Sequence, residues 1–188
     1  MGYRLFQTPP KITNTNPSGE NIVCFGDSLT SGIGATISMD YPSQLSKMIS
    51  KPIINAGVPG ATTAKALIRL EKDVLSQSPR IVLITLGGND LKNGVPREMA
   101  FHNLRIIVKS IQDQGALVVV GGIDMDIWGK GFGKAYKELC SELGAVLIPN
   151  IFKGIMGNPK LMSDRIHPND EGYAIMAQRF HEAIKPYL

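Results

Sequence analysis

Apolar residues fall along this chain in short unbroken runs, separated by stretches in which they recur every three to four positions. The runs are Ile22 to Phe25, Pro52 to Ala56, Ile81 to Leu86, Leu117 to Val120 and Val146 to Ile148. Continuous rather than alternating apolar residues mark strands covered on both faces, as in a parallel sheet. Between the runs, Leu67, Leu70 and Val74 share one helix face, as do Ala100, Leu104, Ile107, Val108 and Ile111, and then Tyr136, Leu139, Cys140 and Leu143. Gly115 and Gly144 are placed to end the second and third of these helices. A last helix is predicted after Asn169, an N-cap residue followed by Asp170 and Glu171, with Tyr173, Met176, Phe180 and Ile184 turned inward. Strand and helix alternate throughout, and right-handed crossovers then place helices on both faces of the sheet. The expected fold is a three-layer α/β/α domain over residues 21–188. Ahead of it, QTPPKITNTNPSGE has no apolar period, so residues 1–20 read as an irregular arm outside the compact core.

Composition agrees with a globular chain. With 188 residues, 43% hydrophobic and 19% charged, there is material for one core and no sign of a disordered tail. Twenty basic residues against sixteen acidic ones give a net charge of +4, but they are scattered, which suits a solvated surface better than a nucleic-acid or membrane patch. Cys24 and Cys140 lie far apart in apolar segments and read as buried free thiols. The three histidines, His102, His167 and His181, show no metal-ligand spacing, and Asp124 with Asp126 lacks the further oxygens of a calcium loop. The apolar runs are far shorter than the roughly 20 residues of a membrane helix. A monomer without cofactor, metal or nucleic-acid partner is expected. Met1 and Gly2 fit a natural start or the replacement of a removed leader. Location is therefore left open, with export favoured.

Ligands of such sheets bind beyond the carboxyl ends of the strands, where strand order reverses. The loops there are Gly26-Asp27-Ser28-Leu29, Asn55-Ala56-Gly57-Val58-Pro59-Gly60-Ala61-Thr62 and Gly87-Gly88-Asn89-Asp90. In a flavodoxin-like sheet of order 2-1-3-4-5, the first and third loops flank the switch point and bring Ser28 beside Asn89. A serine nucleophile needs a base within hydrogen-bond reach, and the base needs a third group to fix its tautomer. Asp164-Arg165-Ile166-His167 supplies both from one turn. Backbone N–H groups at Gly57 or Gly60, the Asn89 amide and the Ser28 N–H are the candidate donors to a developing oxyanion. Asp27 and Asp90 read as loop ties through backbone N–H groups rather than as the third group.

These blocks resemble the SGNH, or GDSL, hydrolase family, whose serine, glycine, asparagine and histidine appear here in order over residues 21–188. Within it the short length is most similar to the bacterial thioesterase I, arylesterase and lysophospholipase L1 branch. The resemblance implies Ser28 as nucleophile, His167 as base and Asp164 as its partner. It implies an oxyanion hole of Ser28 N–H, Gly60 N–H and the Asn89 amide. Gly60 is preferred to Gly57 because the block Asn-Ala-x-x-x-Gly-x-Thr is met by Asn55, Ala56, Gly60 and Thr62. Pro59, just before that glycine, departs from the pattern and stiffens the loop.

The implied activity is hydrolysis of carboxylic esters or thioesters through an acyl-enzyme. Leu91, Val95, Ile123 and Trp128 are the expected substrate-binding walls, with Ile33 leaning the same way. A carbohydrate O-acetylesterase of the same family is the alternative. A flavodoxin-like binding module is the remote one, disfavoured because a phosphate cradle has no use for Asp164 and His167.

Overall fold

The computed structural model of the chain describes residues 11–124 and 131–188. The described residues form one parallel sheet of β1 (Asn21–Gly26), β2 (Ile53–Gly57), β3 (Pro79–Thr85), β4 (Leu117–Gly121) and β5 (Val146–Ile148), in the order β2-β1-β3-β4-β5. This is the expected order. The register sets Cys24 between Asn55 of β2 and Leu83 of β3, so β1 lies inside the sheet. Val23, Cys24, Phe25, Val82, Leu83, Val118 and Val119 are all fully buried, which is why these strands read as unbroken apolar runs. The edge strand β2 is only half-buried.

Helices cover both faces. The predicted ones are α3 (Thr63–Asp73), α5 (Arg97–Asp113), α6 (Phe132–Leu143) and α7 (Asp170–Ile184). Each takes the α-helical period of its apolar residues and lays it on the core. Gly144 ends α6 in the left-handed conformation, and Asn169 Oδ1 caps α7 by accepting from Gly172 N at 3.1 Å. Three further helices, α1 (Ser28–Ser31), α2 (Tyr41–Ile49) and α4 (Gly88–Lys92), were not predicted by the pattern. Of these α2 is the substantial one, capped by Asp40, whose Oδ1 accepts from Ser43 N at 2.9 Å. It packs on α7 through the stacked rings of Tyr41 and Phe180. The other helical layer joins α3, α5 and α6, with Phe101 meeting Phe132 and Tyr136 edge to face. Cys24 and Cys140 are free and buried, and burial pushes both thiols up, Cys140 to about 12.

Residues 11–20 hold no helix or strand, and they are fastened to the domain. Thr13 N donates to Gly144 O at 2.8 Å, and Asn14 Nδ2 donates to Gln112 O and Ala116 O, both at 2.9 Å. Ser18 N reaches Gly115 O, and Glu20 N reaches Ser78 O. These acceptors sit at the amino ends of β3, β4 and β5, so this part of the arm closes that pole of the sheet rather than standing apart.

At the opposite pole, Arg69 of α3 ties two strand ends together. Its Nη2 donates to Gly26 O at 2.7 Å and its Nη1 to Ala56 O at 2.8 Å, with the guanidinium over the Phe25 ring and paired to Asp73. The loops that leave β1 and β2 start from these two carbonyls.

Candidate active site

The first loop turns sharply because Gly26 has no side chain. A Cβ there would lie 2.0 Å from Thr30 Oγ1 and 2.2 Å from Thr85 Oγ1. Asp27 then caps α1, its Oδ1 accepting from Leu29 N at 3.0 Å, and Ser28 opens the helix at the carboxyl end of β1. Beneath it Thr30 is hydrogen-bonded to Thr85 and, at 2.9 Å, to Tyr41, all three buried.

The loop before α7 folds back on itself. Asp164 Oδ1 accepts from the backbone N–H groups of Ile166 at 2.7 Å and His167 at 2.8 Å, while Oδ2 meets His167 Nδ1 at 2.7 Å. His167 Nε2 lies 3.0 Å from Ser28 Oγ. The hydrogen bond from the His167 ring, then those from the two backbone N–H groups, push the Asp164 carboxyl down to about 2. An ionised carboxylate only accepts, so Nδ1 carries the proton toward Asp164, and the neutral ring leaves Nε2 to accept from the serine hydroxyl.

The second loop separates its two glycines. Gly57 packs against α1, where a Cβ would lie 2.2 Å from Ser31 N, and its own N–H donates to Asn55 Oδ1 at 3.0 Å. Gly60 stands at the cleft with φ +73°, a left-handed position that favours glycine, and a Cβ there would meet nothing. Among the described residues no acceptor takes its N–H.

The third loop holds a feature the sequence did not disclose. Asn89 Nδ2 donates to Asp27 Oδ2 at 3.1 Å and to Ala61 O at 3.0 Å, so both amide hydrogens are engaged. Asp90, fully buried, accepts from Thr63 N at 2.9 Å and Thr63 Oγ1 at 2.6 Å, a tie between the third loop and α3 of the kind anticipated. Asp27 ties loops as well, through a side-chain amide in addition to a backbone N–H. Burial pushes its carboxyl up to about 6, against the hydrogen bond from Leu29 N and the nearby His167.

Asp27, Ser28, Gly60, Asn89 and His167 line one cleft of about 720 Å³. Its apolar wall comprises Ile33, Leu91, Ile123, Phe152, Met156 and Ile166, with Lys92 and Arg165 as the cations. Leu91 and Ile123 both line the cleft. Val95 does not line the cleft: the chain turns at Gly94, Val95 N donates to Asp90 O at 2.9 Å, and the side chain packs on the core. Trp128, with Met125 and Ile127, lies outside the described residues. Phe152 and Met156 were missed. They follow β5, whose carboxyl end obeys the same loop rule as the other strands.

A sequence model of the GDSL-like Lipase/Acylhydrolase family matches residues 24–175. The chain belongs to that family. Among curated relatives, an arylesterase of Vibrio mimicus is 28% identical over 188 residues, with 94% of each chain covered. The thioesterase 1/protease 1/lysophospholipase L1 of Escherichia coli K12 is 27% identical over 185 residues, covering 94% of this chain and 89% of that protein. A crystal structure of TesA superposes with a TM-score of 0.85 at 25% identity, covering 90% of this chain and all of the other. This GDSL-like hydrolase is thus a carboxylic ester hydrolase of the serine type. Among its described residues no helix is long and apolar enough to cross a membrane.

Proposed function

We propose that this hydrolase cleaves acyl esters or thioesters through an acyl-enzyme on Ser28, with His167 as general base and Asp164 as its orienting partner. The observation that supports this reading is the unbroken line from Asp164 Oδ2 through the His167 ring to Ser28 Oγ, at 2.7 and 3.0 Å. His167 Nε2 takes the serine proton as Oγ attacks the carbonyl carbon. It then returns that proton to the departing alcohol or thiol, which leaves the acyl group on Ser28. A water activated by the same nitrogen releases the acid and restores the serine. The positive imidazolium formed in each half is steadied by Asp164. Negative charge on the carbonyl oxygen is met by the Ser28 N–H, the Gly60 N–H and the Asn89 amide.

The cleft favours an acyl chain over a sugar acetyl group. Leu91, Ile123, Phe152 and Met156 offer apolar surface, whereas a sugar acetylesterase needs hydrogen-bonding side chains for the ring hydroxyls. A chain-length series of nitrophenyl esters and acyl-CoAs, run beside acetylated sugars, tests the reading. Each methylene that the cleft buries is worth about 0.8 kcal/mol, so kcat/KM should rise roughly fourfold per carbon until the wall is filled. Preference for acetylated sugars would overturn the acyl-chain assignment. Fluorophosphonate labelling mapped to a serine other than Ser28 would overturn the nucleophile.

A further inference from the structure

The two acceptors around Asn89 Nδ2 decide which way its carboxamide lies. Turned over, Oδ1 would face the Asp27 carboxyl group and the Ala61 carbonyl, oxygen against oxygen. Ala61 O is held by the backbone. Asp27 Oδ2 is the side-chain half of the device.

Asp27 also exceeds what its cap position demands. An N-cap needs one acceptor, which Ser, Thr or Asn supplies about as well. Here Oδ1 is spent on Leu29 N, and Oδ2 remains for Asn89. An asparagine at this position has one acceptor and one donor, so it would turn the wrong group either to Leu29 N–H or to the Asn89 amide. Asp27 is only 3% exposed, a costly placement for a carboxyl group that a neutral cap would avoid. The titratable groups around it are His167, which favours its ionised form, Asp90, which opposes it, and the tyrosines Tyr136 and Tyr173, themselves pushed up mainly by burial.

We propose that Asp27 is a positioning residue acting through Asn89: its Oδ2 holds the amide with Nδ2 toward the forming oxyanion and shares or surrenders one hydrogen as charge builds there. At 3.1 Å the hold is longer than the roughly 2.7–2.9 Å of a strong charge-assisted hydrogen bond. It orients the amide and is weak enough to yield to a fully charged oxyanion. This rests on the reading of Asn89 as an oxyanion donor.

A double-mutant cycle separates the two ideas. Asp27→Ser keeps a capping oxygen for Leu29 N but cannot reach Asn89. It should lower kcat by about tenfold or more, with KM within about threefold, in the wild-type background, and by less than about twofold in Asn89→Ala. An equal factor in both backgrounds overturns the proposal while leaving Asn89 as a donor. A near-normal kcat for Asn89→Ala removes the donor reading itself, and the role of Asp27 with it.

NMR of the otherwise intact protein carrying only His167→Ala, which removes the imidazole titration, needs no change at Asp27. The Asn89 side-chain amide, assigned by its loss on adding Asn89→Ala, should shift with an ionisation at about pH 6 or above. A flat response from pH 5 to 8 overturns the proposal.

Discussion

One carboxylate grips both the ring and the backbone of a single histidine: Asp164 Oδ2 meets His167 Nδ1 at 2.7 Å, and Asp164 Oδ1 takes the His167 N–H at 2.8 Å. The imidazole is thereby fixed in position and in tautomer at once. In Asp164→Asn the amide can keep only one of these two acceptors, and its N–H favours the wrong tautomer. The expected result is a fall in kcat of about 10² to 10⁴-fold with KM nearly unchanged, measured by steady-state kinetics. Near-full activity would require another acid to orient the ring.

The two aspartates of the site give folding stability opposite dependences on pH. Asp164, pushed down to about 2, releases its proton more readily in the native state than in the unfolded chain. Its contribution is present above about pH 4 and is lost as pH falls toward about 2. Asp27, pushed up to about 6 by burial, binds its proton more tightly in the native state. Stability from this group therefore declines as pH rises from about 4 to about 6 and is level above that. Denaturant midpoints of wild type minus Asp27→Ser, taken from pH 3 to 8, should show this decline. A difference that grows with pH over the same window would contradict it.

The glycines of the second loop should fail in different ways. Gly57→Ala drives a Cβ into the backbone of α1, so loss of folded protein is expected by circular dichroism. Gly60→Ala meets no neighbour and bears only the strain of a left-handed residue, about 1 kcal/mol. It should fold with a Tm within a few degrees of wild type while kcat drops by about tenfold, because the strained loop shifts an oxyanion donor. A folded, fully active Gly60→Ala would remove that N–H from the hole.

Chain-length preference should follow the cleft wall. Ile123 lines the cleft close to Gly88, whose hypothetical Cβ would lie 3.1 Å from Ile123 Cδ1. Ile123→Trp fills space there, so the preferred acyl chain should shorten by several carbons while acetate esters react at nearly the wild-type rate. An unchanged chain-length profile would place the acyl group elsewhere.

The sheet was legible because β1, β3 and β4 are buried on both faces, and burial on both faces leaves no alternation to misread. The helices α1 and α4 span four and five residues, too few for a helical period to register. In α2 the start signal was present in Asp40, followed at once by Tyr41 and Pro42, but no apolar period was read beyond it. Asp164 and His167 are three residues apart, so one turn suffices to join them. The Asp27–Asn89 contact spans 62 residues and depends on how two loops close over the sheet, which no local pattern encodes. Val95 was misplaced for a related reason: an apolar residue in the right loop still faces whichever way its preceding turn directs it.

Arg69 has a consequence for how the first and second loops are held. Its guanidinium fastens the carbonyls of Gly26 and Ala56 on neighbouring strands, while its buried Nε finds no acceptor among the described residues. An unpartnered buried N–H is a point of local frustration, worth about 1–3 kcal/mol of lost stability. What it accompanies is a join between two strand ends. Ser28 follows two residues beyond one fastened carbonyl and Gly60 four beyond the other, so the clamp sets the proposed nucleophile and the proposed oxyanion donor on one jaw.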